Sequence, residues 1–507
     1  MDGLLIGVAN LLTIETILAV AIGCGIGIFV GAMPGLGSAV GIALMVPLTY
    51  SLSPTFSVVM LAALYMGSEY GGSVSAILLN TPGTPSATAT MVDGYPMSQK
   101  GQARLALGVS LSSSAVGGLI GGLALVLLAQ PLVGVALRFG PPAYFAVGVF
   151  GLSMVAALAG SSLVKGLVVA CLGLMLVTVG SDPISGYTRF TFGSYELIDG
   201  IPVVAVMIGL FAVSEAFFLV EKGAAKFVGD TSLRHLFLSR EQWRNLLPTM
   251  LRGGVIGTLI GILPGVGSSV GGWFSYTLTQ RLSSNPEDFG KGEVKGVAAP
   301  ESANNATVGG SLIPLLTLGI PGSPTTAMLM GTFFLHGLQP GPALFQNAPD
   351  IVYTLMLSLF AAVAFMYVLG SFALPLCARV IALPNHVLAI LIVAMAAVGV
   401  FALRSLMFDV WVMLGFGVIG YFLRKFGFPL PPMILAVVLG PMIEANFRRS
   451  LLLSQGDYNI FFEDGIAFGF LALTAVFVLA IPALKLVRKV AFQQRNHHTK
   501  NSTRDGI

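Results

Sequence analysis

Two apolar stretches of this chain are interrupted by the same eleven-residue pattern, and that duplication limits what the chain can fold into. The first copy is Gly31-Ala-Met-Pro34-Gly35-Leu-Gly37-Ser38-Ala-Val40-Gly41, and the second is Gly261-Ile-Leu-Pro264-Gly265-Val-Gly267-Ser268-Ser-Val270-Gly271. Seven of the eleven positions are identical (Gly31/261, Pro34/264, Gly35/265, Gly37/267, Ser38/268, Val40/270, Gly41/271) at an offset of 261 − 31 = 230, where chance would give about one. Proline removes an amide donor and ends the incoming helix, while glycine permits tight reversals. Inside a membrane such a break is tolerated only where it is buried in protein or lines a wet cavity.

Composition supplies the membrane. Of 507 residues, 55% are hydrophobic and 9% charged, with a mean hydropathy of +0.89, against roughly 25% charged in a soluble protein. Several apolar runs exceed the ~20 residues that cross a hydrocarbon core. The chain reads as all-α, a polytopic helical membrane protein with about 10–12 spans and broken or re-entrant hairpins. Its first span is expected from about Leu4 to Val30 and is retained, there being no basic region before it to mark a signal peptide. The three cysteines, Cys24, Cys171 and Cys377, lie in apolar segments without metal-ligand spacing and read as packing residues.

The net charge of +4 concentrates at the C-terminus, in Lys485, Arg488, Lys489, Arg495, Lys500 and Arg504. This is positive-inside flanking, which puts the C-terminus in the cytoplasm, and no basic patch on a soluble face points to nucleic acid. A second polar stretch, from Glu221 to Arg252, reads as a cytoplasmic linker. The layout is then a first membrane repeat (1–220), the linker (221–252), a second repeat (253–490) and a basic tail (491–507). No Lys or Arg precedes Lys100, whereas the second repeat is entered from the basic linker. The two repeats are therefore expected to be inverted.

A second motif is also doubled. Asn80-Thr81-Pro82-Gly83-Thr84-Pro85 corresponds to Gly319-Ile-Pro321-Gly322-Ser323-Pro324-Thr325, at an offset of 321 − 82 = 239, with a polar insertion near 283–295 accounting for the drift. A hydroxyl residue before proline is an N-cap with proline at N1, and Ser38 and Ser268 are expected to cap in the same way. Four half-helix N-termini are thus predicted to meet, each with roughly half a positive charge on unsatisfied amides. Such a cradle binds a carboxylate without a buried cation, and no Lys or Arg falls within these motifs. The expected substrate contacts are Pro34, Gly35, Gly37, Ser38, Asn80, Thr81, Pro82, Gly83 and Thr84, with Pro264, Gly265, Gly267, Ser268, Pro321, Gly322, Ser323 and Thr325 from the second half.

Charges in apolar context suggest coupling. Glu69 reads either as a proton- or Na+-coupling carboxylate or as a hydrogen bond on a packing face. Glu301, beside Asn304 and Asn305, reads as an ion or substrate ligand, with a helix-capping role as the other reading. Ser73 joins this ion-coupling set, and Na+ can be held by Ser, Thr and Asn oxygens with partly unwound carbonyls. No cofactor beyond the coupling ion, Na+ or H+, is expected. Asp93 is expected to shape a turn before Tyr95-Pro96, and Glu215, Asp409 and Glu444 to sit at span ends.

Two other classes compete. An intramembrane serine hydrolase would use Ser38 or Ser268 with His336, but the serines are duplicated and the histidine is not. A passive anion channel would not need doubled breaks. No Gly-x4-Gly-Lys-Ser/Thr loop is present, which disfavours ATP-driven transport by this chain.

The motifs Met33-Pro-Gly-Leu-Gly-Ser38, Leu263-Pro-Gly-Val-Gly-Ser268, Tyr70-Gly-Gly-Ser73, Asn80-Thr-Pro-Gly83, Asp93-Gly-Tyr-Pro96, Ala299-Pro-Glu-Ser-Ala-Asn-Asn305 and Gly319-Ile-Pro-Gly322 carry a resemblance. The chain resembles the large membrane subunit of the tripartite tricarboxylate transporter family over nearly its whole length. That resemblance implies ion-gradient-driven uptake of citrate-like carboxylates across the bacterial inner membrane. It also implies two partners, a small four-helix membrane subunit and a periplasmic solute-binding protein. An elevator-like motion is an implication of similarity to other carboxylate carriers.

Overall fold

The computed structural model describes residues 2–158, 162–182, 184–221, 237–381 and 384–479. The basic tail and residues 222–236 of the expected linker lie outside them. Among the described residues the fold is helical apart from one two-stranded antiparallel ribbon, β1 (Gly180–Ser181) with β2 (Thr188–Arg189).

The first half runs through α1 (Asp2–Leu11), α2 (Ile14–Ala32), α3 (Gly37–Met45), α4 (Pro54–Leu79), α5 (Thr88–Gln99), α6 (Ala103–Ala136), α7 (Pro141–Leu158) and α8 (Leu163–Val177). After the ribbon come α9 (Val203–Ile208) and α10 (Ser214–Glu221), joined through a π turn. The second half has α11 (Arg240–Ile262), α12 (Gly267–Leu282), α13 (Val294–Leu318), α14 (Pro324–Leu335), α15 (Pro342–Asn347), α16 (Pro349–Ile381), α17 (Asn385–Arg404), α18 (Met407–Lys425), α19 (Pro431–Leu453) and α20 (Ile460–Glu463). By length and composition, eight described helices are apolar enough to cross a membrane. The helices that carry the polar motifs, α4 and α13, have 26 and 25 residues and are also long enough.

Local chemistry sets the helix starts. Ser53 caps α4 ahead of Pro54 at N1, and Ser239 with Gln242 forms a capping box on α11. The expected first span is divided at Leu12–Thr13, because the Thr13 hydroxyl accepts from the amide of Thr16 and starts a new helix. Cys24 and Cys377 are buried, whereas Cys171 is exposed.

Glycine spacing sets the packing. A Cβ on Gly23, Gly27 or Gly31 would strike the carbonyl oxygen of Met60, Leu64 or Ser68. Gly253 and Gly257 face the carbonyls of Ala299 and Ala303 in the same way, and Gly261 meets Thr307. Small residues every fourth position let helix backbones touch, the device membrane helices use where lipid gives no hydrophobic drive. The order of contacts makes α2 parallel to α4 and α11 parallel to α13.

Both breaks reverse the chain. Gly41 of α3 lies against Val30 of α2, and the Ser57 hydroxyl donates to Thr49 O (3.2 Å), returning the chain to the start of α4. Gly271 of α12 similarly approaches Gly257 and Ile260 of α11. The halves then interleave. α6 lies along α13, while α16 packs on α2 and α4. α7 and α8 pack on α19, and α17 and α18 pack on α9, α10 and the π turn between them.

Candidate functional site

The site begins with the two reversals. α2 ends at Ala32, Pro34 offers no amide, and Gly35 and Gly37 adopt φ of +87° and +67°. In the second copy Gly265 and Gly267 adopt +74° and +71°. Between each glycine pair Leu36 or Val266 is right-handed. Alternating left- and right-handed residues fold the backbone back within four positions, and the left-handed ones favour glycine.

Each tip meets the proline-led half-helix of its own half. A Cβ on Gly37 would lie 3.6 Å from Pro85 Cδ, and one on Gly267 would lie 3.9 Å from Pro324 Cδ. Gly83 passes so close to the Gly31 carbonyl, and Gly322 to that of Gly261, that neither position has room for a Cβ. The Gly265 amide donates to Gly322 O (2.9 Å).

The capping expectations divide. Ser323 accepts from the Thr326 amide (3.1 Å) in a capping box and starts α14 as expected. Thr84 makes no cap and bonds the Ser86 hydroxyl (2.8 Å). Ser38 and Ser268 are not caps either, since the N-caps are Leu36 and Val266, which make no side-chain cap bond. Their hydroxyls turn to a buried carboxylate instead, whose two oxygens offer them acceptors away from the helix start.

That carboxylate is Glu69, 2% exposed. Its Oε1 accepts from Ser38 (2.8 Å), and its Oε2 accepts from Ser86 (2.6 Å) and Ser268 (3.3 Å). Ser38 also shares a hydrogen bond with Thr325 Oγ1 (2.9 Å). Tyr65 and Ser323 share another at 3.2 Å, and Asn304 donates to the Glu69 carbonyl (3.1 Å). One side chain of α4 therefore touches hydroxyls from both breaks and from the first proline-led turn, while Ser38 links the second. None of the ion pairs among the described residues involves Glu69.

A second buried carboxylate, on α13, has a separate cage. Glu301 accepts from Thr90 (2.5 Å), Ser110 (3.1 Å) and Ser114 (3.1 Å), all hydroxyls of α5 and α6. Ser73 shares a 2.5 Å bond with Ser110. Asn305 donates to Met66 O (3.1 Å), and the side-chain oxygens of Asn304 and Asn305 and the Ser68 hydroxyl are buried without a partner. Oxygens of this kind can hold Na+, and the carboxylates can take a proton. Among the described residues no group of three or more His, Cys, Asp or Glu could hold a metal ion.

Some predicted residues stand apart. Asn80 is the left-handed C-cap of α4, eleven residues and about 16 Å along the helix from Glu69. Thr81 bonds only locally, to Leu79 O, and Pro82 joins no other motif by a hydrogen bond. His336 caps the far end of α14, and no hydrogen bond connects it to Ser38 or Ser268. Asp93 does not shape a turn. It lies inside α5 and accepts from the amides of Gly290, Gly292 and Glu293 (each 2.8 Å) and from Tyr276 OH (2.8 Å). It clamps the polar insertion, because three converging amides are worth more to an anion than one turn.

Sequence reasoning missed Tyr65, Ser86, Thr90, Ser110 and Ser114. Ser110 and Ser114 are four apart on one helix, a legible pair of hydroxyls, but nothing local names their acceptor. It also placed Glu215 at a span end, whereas Glu215 is 4% exposed, paired with Arg424, and 3.0 Å from a Cβ built on Gly35.

Two re-entrant reversals and two proline-led half-helices around a buried carboxylate define a class, that of multi-pass membrane transport proteins. The chain belongs to the tripartite tricarboxylate transporter TctA family, whose model matches residues 17–435. It is thus a transporter, not an enzyme, and a subunit of a tripartite system that has other subunits. It is 37% identical over 498 residues to an Agrobacterium vitis protein described as an uncharacterized 52.8 kDa protein in the TAR-I ttuC' 3' region, covering 98% of this chain and 99% of that relative. A second Agrobacterium vitis protein, described by the TAR-II ttuC' 3' region, is 36% identical over 238 residues, covering 46% of this chain and 98% of its own length. No solved structure matches the chain.

Proposed function

We propose that this protein is the large permease subunit of a secondary active system taking up small, citrate-like carboxylates on a Na+ or H+ gradient. The observation that carries the reading is the convergence of Ser38, Ser86 and Ser268 on Glu69, with Thr325 one bond away. The four half-helix starts surround a point already chosen by an anion, and that anion belongs to the chain. Neutralising Glu69 with a proton or Na+ releases Ser38 and Ser268 for a substrate carboxylate, which couples the ion to the cargo. Glu301, Ser73, Asn304 and Asn305 form the second ion-responsive group. Parallel packing of α2 on α4 and of α11 on α13 gives each half the same hairpin. α6 is antiparallel to α4 (Ser110 at Ser73, Gly118 at Met66) but parallel to α13 (Gly117 at Ser302, Gly121 at Ala306). The hairpins therefore run in opposite directions, which supports inverted repeats.

The setting that goes with this reading is the bacterial inner membrane, with the C-terminus in the cytoplasm. The partners are the small four-helix membrane subunit and a periplasmic solute-binding protein. The test is uptake by the reconstituted complex with its binding protein, across a carboxylate panel under separate Na+ and proton gradients. Ion-dependent accumulation against a concentration gradient is expected. Equilibration without accumulation would establish a channel and sink the carrier.

A further inference from the structure

The loop between α8 and α9 is built more rigidly than a connection requires. β1 and β2 pair in register Gly180 with Arg189 and Ser181 with Thr188. Asp182 Oδ1 accepts from the amides of Ile184 (2.8 Å) and Ser185 (2.9 Å), while its other oxygen pairs with Arg448 and, at 3.4 Å, Arg189. Arg189 also binds Glu444 (2.6 Å). This frame displays aromatic rings outward: Tyr187 is 78% exposed, Phe190 60%, Phe192 89% and Tyr195 84%. Phe190 and Phe192 have φ of +52° and +51°. Bulky residues seldom adopt that conformation, and they persist in it only where the surroundings hold them.

Its charge narrows what covers it. The exposed charges on the loop are acidic, Glu196 and the 83% exposed Asp199, while Arg189 is partly covered. The arginines that bond to the loop are committed to ion pairs, Arg189 and Arg448 as above and Arg404 with Asp199 and Asp409, while the exposed Arg449 makes no bond to it. A surface made for anionic lipid headgroups carries free Lys and Arg, and a second copy of this face would oppose acid to acid. α9 and α10 separate the loop from the side where Lys425 meets Glu221. A cavity of about 310 Å³ lies at its root, lined in part by Val177, Arg189, Val206 and Glu444.

We propose that the 180–200 loop is the docking surface for a water-soluble protein that presents an apolar recess with a basic rim. Aromatic anchors at the centre and complementary charge at the edge are what such contacts use. The inference rests on the reading that a soluble subunit delivers substrate to this face.

The experiment measures binding of the purified, labelled solute-binding subunit of its own system to the membrane complex in nanodiscs, with uptake in parallel. Phe192→Asn with Tyr195→Ser keeps a residue that tolerates positive φ and removes two rings. It is expected to raise the apparent Kd by roughly 10-fold or more, with uptake restored at saturating subunit. Glu196→Lys should weaken binding further, and added salt should weaken the unaltered complex. In Phe192→Trp, the indole should be quenched by acrylamide, protected by the subunit and indifferent to brominated lipid. Unchanged affinity in the double variant, or quenching by brominated lipid, overturns the docking proposal. Uptake by the unaltered complex that ignores the subunit overturns the delivery reading itself, and the docking proposal with it.

Discussion

The two breaks share seven residues and one backbone path, yet they sit in opposite surroundings. In the first, α3 is mostly buried, packed by α4, α14, α17 and the π turn, and Gly35 faces the Glu215–Arg424 pair. In the second, Gly265 is sealed against Val155, while α12 shows Val270, Trp273 and Phe274 at its surface. Ser38 is buried and makes two bonds; Ser268 is half-buried and makes one. Identical local chemistry therefore sets the reversal, and unlike neighbours set which reversal is closed.

Removing what the two breaks have in common should do the most harm. Glu69→Ala leaves three hydroxyls from three elements without their acceptor, and uptake is expected to fall by about 100-fold, equivalent to the ~3 kcal/mol typical of stripping a buried charge network. Glu69→Gln should leave the fold intact and change the Na+ and pH dependence. Counterflow measured in both settles it, and unaltered ion dependence in Glu69→Gln would remove this carboxylate from coupling.

The glycines test the inequality directly. Gly265→Ala meets both left-handed strain and a Cβ 1.8 Å from Val155 Cγ2, together about 2–5 kcal/mol. Gly35→Ala meets the strain and only a 3.0 Å approach to Glu215, about 1–2 kcal/mol. Thermal unfolding in detergent should rank them so, and Val155→Ala should recover part of the Gly265→Ala loss. Equal losses would mean that the second break is no more tightly closed than the first.

Smaller still is the serine pair. Ser38→Ala should cost about 1–3 kcal/mol of substrate affinity and Ser268→Ala about 0.5–1.5 kcal/mol, read from uptake KM; the reverse order would contradict the bonding found here. The least effect is outside the membrane. Amides of Ser185 and Ile184 and the Arg448 guanidinium hold the Asp182 carboxyl below the usual carboxylate range. A depressed folded value means that the carboxylate's contribution is present above its unfolded pKa of about 3.9 and is lost as pH falls through the lower folded one. Anisotropy of Phe192→Trp should thus hold through pH 5 and drop only under stronger acid, whereas Asp182→Asn should lower it already at neutral pH and remove the acid step.

Much of this was readable beforehand where the physics is local. Pro34-Gly35-Leu-Gly37 and its copy announce a reversal because proline lacks a donor and left-handed φ favours glycine. Ser323-Pro324 announces a helix start. The errors came where a local rule met a distant competitor. Ser38 and Ser268 looked like caps until a buried carboxylate offered them an acceptor, and Asp93 looked like a turn residue until three amides from the 290–293 segment converged on it. Glu215 looked interfacial because Arg424, its partner, lies 209 positions away.

The sequence by itself determined the membrane helices, the doubled breaks and the residue types that can hold a carboxylate, since hydropathy, missing donors and glycine φ act within a few residues. Only the tertiary structure decided that Glu69 stands at the meeting of the half-helices, that Glu301 has its own hydroxyl cage, and that the second break is the one sealed against Val155. Those outcomes depend on helices from each half packing against the other, and no local spacing encodes which buried carboxylate such an interleaved core will bring to its centre.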